Sequence, residues 1–234
     1  MIDFHSHVLP RMDDGSSSVE ESVAMLSLLR EQGVTRVFAT PHFDPMRDTP
    51  QSFLERRADS LRALRPSLTD ALPEVLLGAE VAYFPGISHM EELRQLRLER
   101  TGLLLLEMPV ARWSDSTIRE LMELTRVDGI RILIAHVERY LDFQSPAVID
   151  ELLRFGILMQ VNASFFLRRP TRRAALRLLS SGCVHLLGSD THGLTSRPPR
   201  IADAISIIER RLGRETVEAL RARGECLLEK PMDL

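Results

Sequence analysis

Gly33-Val34-Thr35-Arg36-Val37-Phe38-Ala39-Thr40-Pro41-His42 is the stretch on which the fold turns. A helical pattern precedes it, in which Val19, Val23, Leu26 and Leu29 share one face. Ser18 is placed to cap that helix, and Glu21, three residues on, completes a capping box. Gly33 ends it, because glycine enters the left-handed conformation without a Cβ penalty. A short β-branched, apolar run follows, and it delivers a histidine at its end. The same unit of helix, glycine and strand recurs at Gly129-Ile130, Gly156-Ile157 and Gly182-Cys183-Val184. Thr117 and Glu120 give a second, weaker start signal before Leu121, Leu124 and Val127.

Seven strands are expected: Met1–Phe4, Val34–Thr40, Val75–Val81, Leu103–Met108, Arg131–Ala135, Ile157–Asn162 and Val184–Ser189. Short apolar strands alternating with helices read as a parallel sheet covered by helices. Seven such units without an antiparallel stretch favour a closed (β/α)7 barrel over an open doubly wound sheet.

No low-complexity tract or composition break divides the 234 residues, so one domain over residues 1–234 is expected. The chain carries 30 basic and 33 acidic residues, a formal net charge of −3, which argues against a nucleic-acid protein held by bulk charge. A hydrophobic fraction of 44% excludes a disordered chain. The first residues lack the basic and apolar regions of a signal peptide, and no apolar run nears the ~18 residues needed to span a bilayer. Two cysteines, Cys183 and Cys226, cannot build a disulfide framework and point to a reduced, cytoplasmic setting. Cys183 reads as a small core residue.

Function gathers where the strands end. The first runs into His5-Ser6-His7 and the second into Pro41-His42. Glu80, Glu107 and His136 end the third, fourth and fifth, and the last runs into Asp190-Thr191-His192. In parallel α/β folds this edge carries the active site. Alone, each histidine reads as a surface or satisfied core residue. Yet five of the seven histidines share this edge, and only His89 and His185 do not. Asp13-Asp14-Gly15 alone is a polar turn; beside His5 and His7 one of its carboxylates is a further ligand, here taken as Asp14. Two to three metal ions would use these five histidines and four carboxylates. Nitrogen and oxygen donors without thiolate suit Mn²⁺, Fe²⁺ or Zn²⁺, and the carboxylates tilt the choice to Mn²⁺.

Arg139 and Arg197 lie just past the ligands, and guanidinium forks match phosphate oxygens. With three divalent ions, four carboxylates and a bridging hydroxide they leave a pocket of about +3, suited to a phosphate dianion. Metal-assisted phosphoester hydrolysis follows. Other chemistries fail. There is no glycine-rich phosphate loop and no nucleophile elbow. Neither cysteine has the arginine that a thiolate phosphatase needs: Ser189 and Met232 stand six residues on. Trp113, Tyr83 and Tyr140 are too few for base stacking.

Asp3-Phe4-His5-Ser6-His7, Asp13-Asp14-Gly15, Ala39-Thr40-Pro41-His42, Gly78-Ala79-Glu80, Leu105-Leu106-Glu107-Met108-Pro109, Ala135-His136-Val137-Glu138-Arg139-Tyr140 and Ser189-Asp190-Thr191-His192 occur in this order. The ordered set resembles the PHP (polymerase and histidinol phosphatase) superfamily. Within it, the set is similar to the bacterial manganese-dependent protein-tyrosine phosphatases of the CpsB/YwqE type, which serve capsule and exopolysaccharide synthesis. The resemblance runs from Met1 to about Pro199. It implies a distorted (β/α)7 barrel of the PHP type with three metals: one on His5, His7, Glu80 and Asp190, one on Glu80, Glu107 and His136, and one on Asp14, His42 and His192. Arg139 and Arg197 match its phosphate-contacting arginines. The implied partner is a phosphotyrosine protein, the C-terminal tail of a polysaccharide-assembly tyrosine kinase, attacked by a metal-bridging hydroxide. The segment Phe43–Pro50 departs from the family pattern, and Asn162-Ala163-Ser164-Phe165-Phe166 matches it loosely. Two other readings stand beside this one. Another PHP phosphoesterase, such as a histidinol-phosphate phosphatase, would add acidic or aromatic groups beyond the ligands. A binding or assembly subunit would close its metal sites to water.

Overall fold

The computed structural model describes residues 1–229. In chain order the elements are β1 (Ile2–Ser6), α1 (Val19–Glu31), β2 (Arg36–Ala39), β3 (His42–Phe43), α2 (Pro50–Leu64), β4 (Glu74–Leu77), β5 (Glu80–Ala82), α3 (Leu93–Leu96) and β6 (Leu103–Glu107). There follow α4 (Asp115–Leu124), β7 (Arg131–Ile134), α5 (Pro146–Arg154), β8 (Leu158–Asn162), α6 (Ala163–Leu167), α7 (Arg169–Ser180), β9 (Leu186–Gly188), α8 (Ile201–Leu212) and α9 (Arg214–Glu229).

Every strand pairing is parallel. One sheet runs β1-β2-β4 and the other β3-β5-β6-β7-β8-β9. The ring closes where Ser6 bridges Thr191: the His7 N–H donates to the Thr191 carbonyl at 3.0 Å and the Asp190 N–H to the His5 carbonyl at 2.8 Å. The barrel expected from the sequence is therefore present as a curled parallel sheet, with seven strand positions filled by nine short strands.

The difference from seven continuous strands lies at Thr40-Pro41 and Gly78-Ala79. Pro41 has no N–H to give the ladder. At Gly78 a Cβ would lie 2.5 Å from Leu98 Cδ2 and 3.2 Å from Thr40 Cγ2, so any larger residue would force the buried Leu98 side chain to move. Buried Arg57 of α2 holds this break from behind, donating to the Gly78 carbonyl at 2.7 Å and the Gln95 carbonyl at 3.0 Å. Burial pushes its pKa down to about 10.

A third irregularity sits in β1. Ile2 faces Arg36 and Asp3 faces Val37, but Ser6 faces Ala39, so β1 holds one extra residue. Such a bulge re-aims the side chains that follow it. Ile2 and Phe4 enter a smaller apolar cluster with Phe38, Leu105, Leu133 and Leu186, while His5 and His7 meet the polar groups at the strand ends. Helix α9 lies against that cluster: Leu227 belongs to it, and a Cβ on Gly224 would stand 3.1 Å from the Phe4 ring. The larger cluster packs the helices onto the sheet.

Gly33, Gly156 and Gly182 stand two residues past the ends of α1, α5 and α7 with positive φ, as the recurring unit requires; Gly129 also has positive φ, but α4 has already ended at Leu124, so Gly129 turns the chain into β7 rather than ending the helix. Three other local readings change. Ser18 caps α1 by accepting from the Glu21 N–H, but the Glu21 carboxylate reaches the N–H and hydroxyl of Ser17, one residue earlier than a capping box has it. Ser114 rather than Thr117 caps α4, which leaves Glu120 free to accept from Tyr83 and the Gly86 N–H. Cys183 is half-buried and accepts a hydrogen bond from Ser181, so it is not a core residue.

Candidate metal centre

The nine side chains put forward by the strand ends converge. Glu80, buried at the start of β5, is their hub. Its Oε2 lies 3.0 Å from His5 Nε2, 3.3 Å from His7 Nε2 and 3.1 Å from His42 Nδ1; its Oε1 lies 2.7 Å from His136 Nε2. Asp190 Oδ1 stands 3.6 Å from both His5 and His7 Nε2. Glu107 approaches His136 at 3.5 Å and His42 at 3.9 Å. Asp14, exposed, reaches His192 Nε2 at 3.3 Å and His42 Nε2 at 3.5 Å.

These atoms form four overlapping groups of the size that holds an ion: His7, Asp14, His42 and His192; His5, His7 and Asp190; His5, Glu80 and His136; His42, Glu80 and Glu107. His7 is thus shared between two groups, and Glu80 between two others. His89 and His185 stay away from all four.

Partners outside this ring decide which nitrogen faces inward. His7 Nδ1 donates to Asp13 at 2.7 Å, His5 Nδ1 to the Gln160 amide oxygen at 3.2 Å, and His192 Nδ1 to the Asp190 carbonyl at 3.0 Å. Each ring therefore turns Nε2 to the centre. His192 Nε2 is buried there with no hydrogen-bond partner. His5 and His7 Nε2 face each other at 3.1 Å. Nitrogens and carboxylates packed this closely are satisfied by protons on the rings or by a cation held among them, and the outward Nδ1 bonds leave Nε2 as the ligating atom.

Electrostatics point the same way. Burial alone would raise the Glu80 pKa, but the charge of His5 and the bonds from His136, His42 and His5 hold it well below the usual carboxylate range. Burial would lower His7, yet Asp13 and Glu80 push it up to about 10. His5 rises too, against its burial, because Glu80 and Asp190 face it. His136 and His192 go the other way, lowered chiefly by burial, so positive charge gathers on the His5, His7 and His42 side, around Glu80. Residues of this kind fit divalent ions with mixed nitrogen and oxygen ligands.

Arg139 and Arg197 stand over Asp190. Arg139 donates to Asp190 Oδ2 at 2.9 Å and approaches Glu107 at 3.4 Å; Arg197 donates to Asp190 Oδ1 at 2.7 Å. The side chains are 36% and 40% exposed, so guanidinium edges remain open to a ligand.

Sequence reasoning missed the groups that hold this ring. Asp13 also accepts from the His42 and Gly15 N–H groups at 2.9 Å each. Gln160 Oε1 accepts from the His136 N–H at 2.7 Å, and its amide donates to Asn162, which in turn donates to Asp190 Oδ2 at 2.7 Å. The Tyr140 hydroxyl sits 3.1 Å from His136 Nδ1. Asp13 and Tyr140 lie in the motifs Asp13-Asp14-Gly15 and Ala135–Tyr140, and Asn162 opens a loosely matching one, but the motifs give none of them a role; Gln160 carries no signal.

Comparison with known proteins is consistent along the whole chain. The family model described as "Capsular polysaccharide synthesis, CpsB/CapC" matches residues 1–228. The tyrosine-protein phosphatase CpsB of Streptococcus agalactiae serotype V is 30% identical over 233 residues, covering 94% of each chain. The tyrosine-protein phosphatase YwqE of Bacillus subtilis is 28% identical, covering 97% of this chain and 91% of its own. A crystal structure from work on YwqE and on CpsB of Streptococcus pneumoniae, described as unique metal-dependent tyrosine phosphatases, superposes with a TM-score of 0.85 at 25% identity. That match covers 100% of this chain and 96% of the other.

Proposed function

The chain belongs to the CpsB/CapC family, and we propose that it is a metal-dependent protein-tyrosine phosphatase acting in capsular or exopolysaccharide synthesis. One observation carries the reading: the Nε2 atoms of His5, His7 and His192 turn inward onto Glu80, Asp190 and Asp14, and the buried His192 Nε2, 3.3 Å from Asp14 Oδ1, makes no hydrogen bond among the described residues. We assign His5, His7, Asp14, His42, Glu80, Glu107, His136, Asp190 and His192 as ligands to two or three ions, and Mn²⁺ as the ion. Bound there, divalent ions supply an acidified water and positive charge against the phosphate.

The chain's own residues do the rest. Arg139 and Arg197 offer two forks on one side of the ligand ring, where they bind the phosphate oxygens and stabilise charge that spreads over them in the transition state. Asp190, Glu107 and Glu80 hold the arginines and the histidines in register. A phenolate leaves readily, since tyrosine has a pKa of ~10, so the site needs no strong general acid. We read the chain as one catalytic domain whose substrate is a phosphotyrosine protein, the C-terminal tail of a polysaccharide-assembly tyrosine kinase, in the cytoplasm. Among the described residues no helix is long and apolar enough to cross a membrane.

The test is a panel of phosphotyrosine peptide, phosphoserine peptide and histidinol phosphate, each with Mn²⁺ and after chelation. Phosphotyrosine should turn over fastest and chelation should abolish it. Faster turnover of phosphoserine or histidinol phosphate, or full activity in metal-free protein, would overturn the reading.

A further inference from the structure

Two clefts flank the ligand ring, and their charges are arranged differently. One, of about 820 Å³, is lined by Asp44, Arg47, Asp48 and Arg56 beside Asp14 and Glu107. Its arginines are taken up: Arg47 pairs with Asp44 at 3.3 Å and Arg56 pairs with Asp48. The other, of about 550 Å³, is lined by Arg139, Arg168, Arg197 and Arg200 beside Phe165, with the carboxylates Glu138 and Asp190 also on its wall. Arg139 and Arg197 here are the phosphate forks, and Arg200 pairs with Asp203. Arg168 has no ion-pair partner among the described residues.

The sequence around Arg168 has an unusual balance. Residues 152–189 contain six arginines, at 154, 168, 169, 172, 173 and 177, and no aspartate or glutamate, in a chain whose net charge is −3. Arg172 is used internally, on the Phe166 and Leu167 carbonyls. Arg168 and Arg169 stand at the N-terminal end of α7, where the helix dipole disfavours cations, and the first turn has no acidic residue to offset them. A local rule broken without an internal compensation points to a compensation from outside. The cleft, continuous with the two catalytic arginines, is where it would come from.

We infer that the arginine-lined cleft binds a carboxylate side chain of the substrate segment, so that the enzyme selects phosphotyrosines with acidic residues on one side. The inference deepens the phosphatase reading and rests on it. Arg168 is a specificity residue: it touches the flanking side chain and takes no part in the hydrolysis. Among the described residues the opposite cleft's arginines are both paired, Arg47 with Asp44 and Arg56 with Asp48, so the preference is one-sided.

The test uses the full chain with Mn²⁺ and peptides of equal length carrying glutamate or glutamine either before or after the phosphotyrosine. p-Nitrophenyl phosphate, which has no flanks, is the control. A single unscreened charge pair at a half-open surface should change kcat/KM by about three- to tenfold for glutamate on one side only, and added salt should shrink the difference. Arg168→Ala should erase the preference and Arg168→Glu should reverse it, both through KM, with kcat and p-nitrophenyl phosphate turnover unchanged. Equal kcat/KM for all four peptides, or a preference that survives Arg168→Glu, would overturn the inference and leave the phosphatase reading standing. An Arg168→Glu variant that lost only binding to phosphatidylglycerol vesicles would overturn it in favour of a membrane-facing patch. No turnover of any peptide or of the aryl phosphate would sink both readings.

Discussion

Asp13→Asn replaces two oxygens by one oxygen and one amide, and the geometry makes both orientations costly. Asp13 Oδ2 accepts from His7 Nδ1 at 2.7 Å and from the His42 N–H at 2.9 Å; Oδ1 accepts from the Gly15 N–H at 2.9 Å. With the amide in place of Oδ2, two donors lose their acceptor. His7 would then have to present a lone pair at Nδ1 and carry its proton on Nε2, which faces Glu80 and His5 and is the atom assigned to a metal. With the amide in place of Oδ1, only the Gly15 N–H is left facing a donor. That second orientation keeps the tautomer but loses the charge. Each buried bond to a charged group is worth about 1.5–3 kcal/mol, and a lost outer partner commonly lowers metal affinity about 10- to 100-fold. We expect a fall in that range for Asp13→Asn and a larger one for Asp13→Ala, which removes all three bonds. Calorimetric titration of the metal-free protein with Mn²⁺ measures it. Hydrolysis at saturating Mn²⁺ should recover toward wild type, because Asp13 acts through His7. Wild-type affinity in both variants would refute the outward-Nδ1 argument for the centre.

Two further outcomes are expected. Arg139→Ala should leave fold and metal content intact yet cut kcat/KM by about 10²–10³, with Arg139→Lys only partly restoring it, since an ammonium cannot form a bidentate fork; a fully active Lys variant would show that Arg139 does not touch phosphate. The remaining one concerns acid stability. Burial, then the charge of Arg223, pushes the His185 pKa down to about 4 while its Nδ1 accepts from the Met159 N–H. A depressed folded pKa means that the unfolded chain binds the proton first, so the stability from neutral His185 is full above ~6.5 and is lost as pH falls toward 4. Thermal melts should show this loss, and His185→Asn, whose amide oxygen can still accept from Met159, should flatten the curve between pH 6.5 and 4.

The legible part of the fold was what each segment decides by itself. The glycines at 33, 156 and 182 mark helix ends because a left-handed residue closes those turns, and apolar runs that follow them have one reading as buried parallel strands; Gly129 marks the strand start but not the helix end, which falls at Leu124. The breaks at Pro41 and Gly78 were not legible, because they depend on Leu98 and Arg57, far away in sequence. The extra residue in β1 was hidden for the same reason: it exists only relative to β2. The ligand ring follows the same division. Histidine and carboxylate at strand ends are informative as residue types. Gln160, Asn162 and Tyr140 are ordinary polar residues until the fold sets them behind His5, Asp190 and His136.

Those ordinary residues explain how the centre tolerates strain. His136 has φ 30° and Asp190 φ 51°, a left-handed conformation that costs a residue with a Cβ of order 1–3 kcal/mol and persists only where the surroundings over-determine it. They do so here. The Gln160 oxygen takes the His136 N–H and His5 Nδ1 together, so one side chain on β8 fixes the ends of β7 and β1. Its place is reserved by Gly188, where a Cβ would meet both Gln160 Nε2 and His5 Cβ at 2.6 Å. Asn162, two residues on, locks Asp190 together with the two arginines. The strand ends are bent to bring ligands inward, and the bonds that hold the bend also set the ligands' tautomers. The same bonds therefore close the barrel and orient the proposed metal ligands, and loss of Gln160 should loosen both.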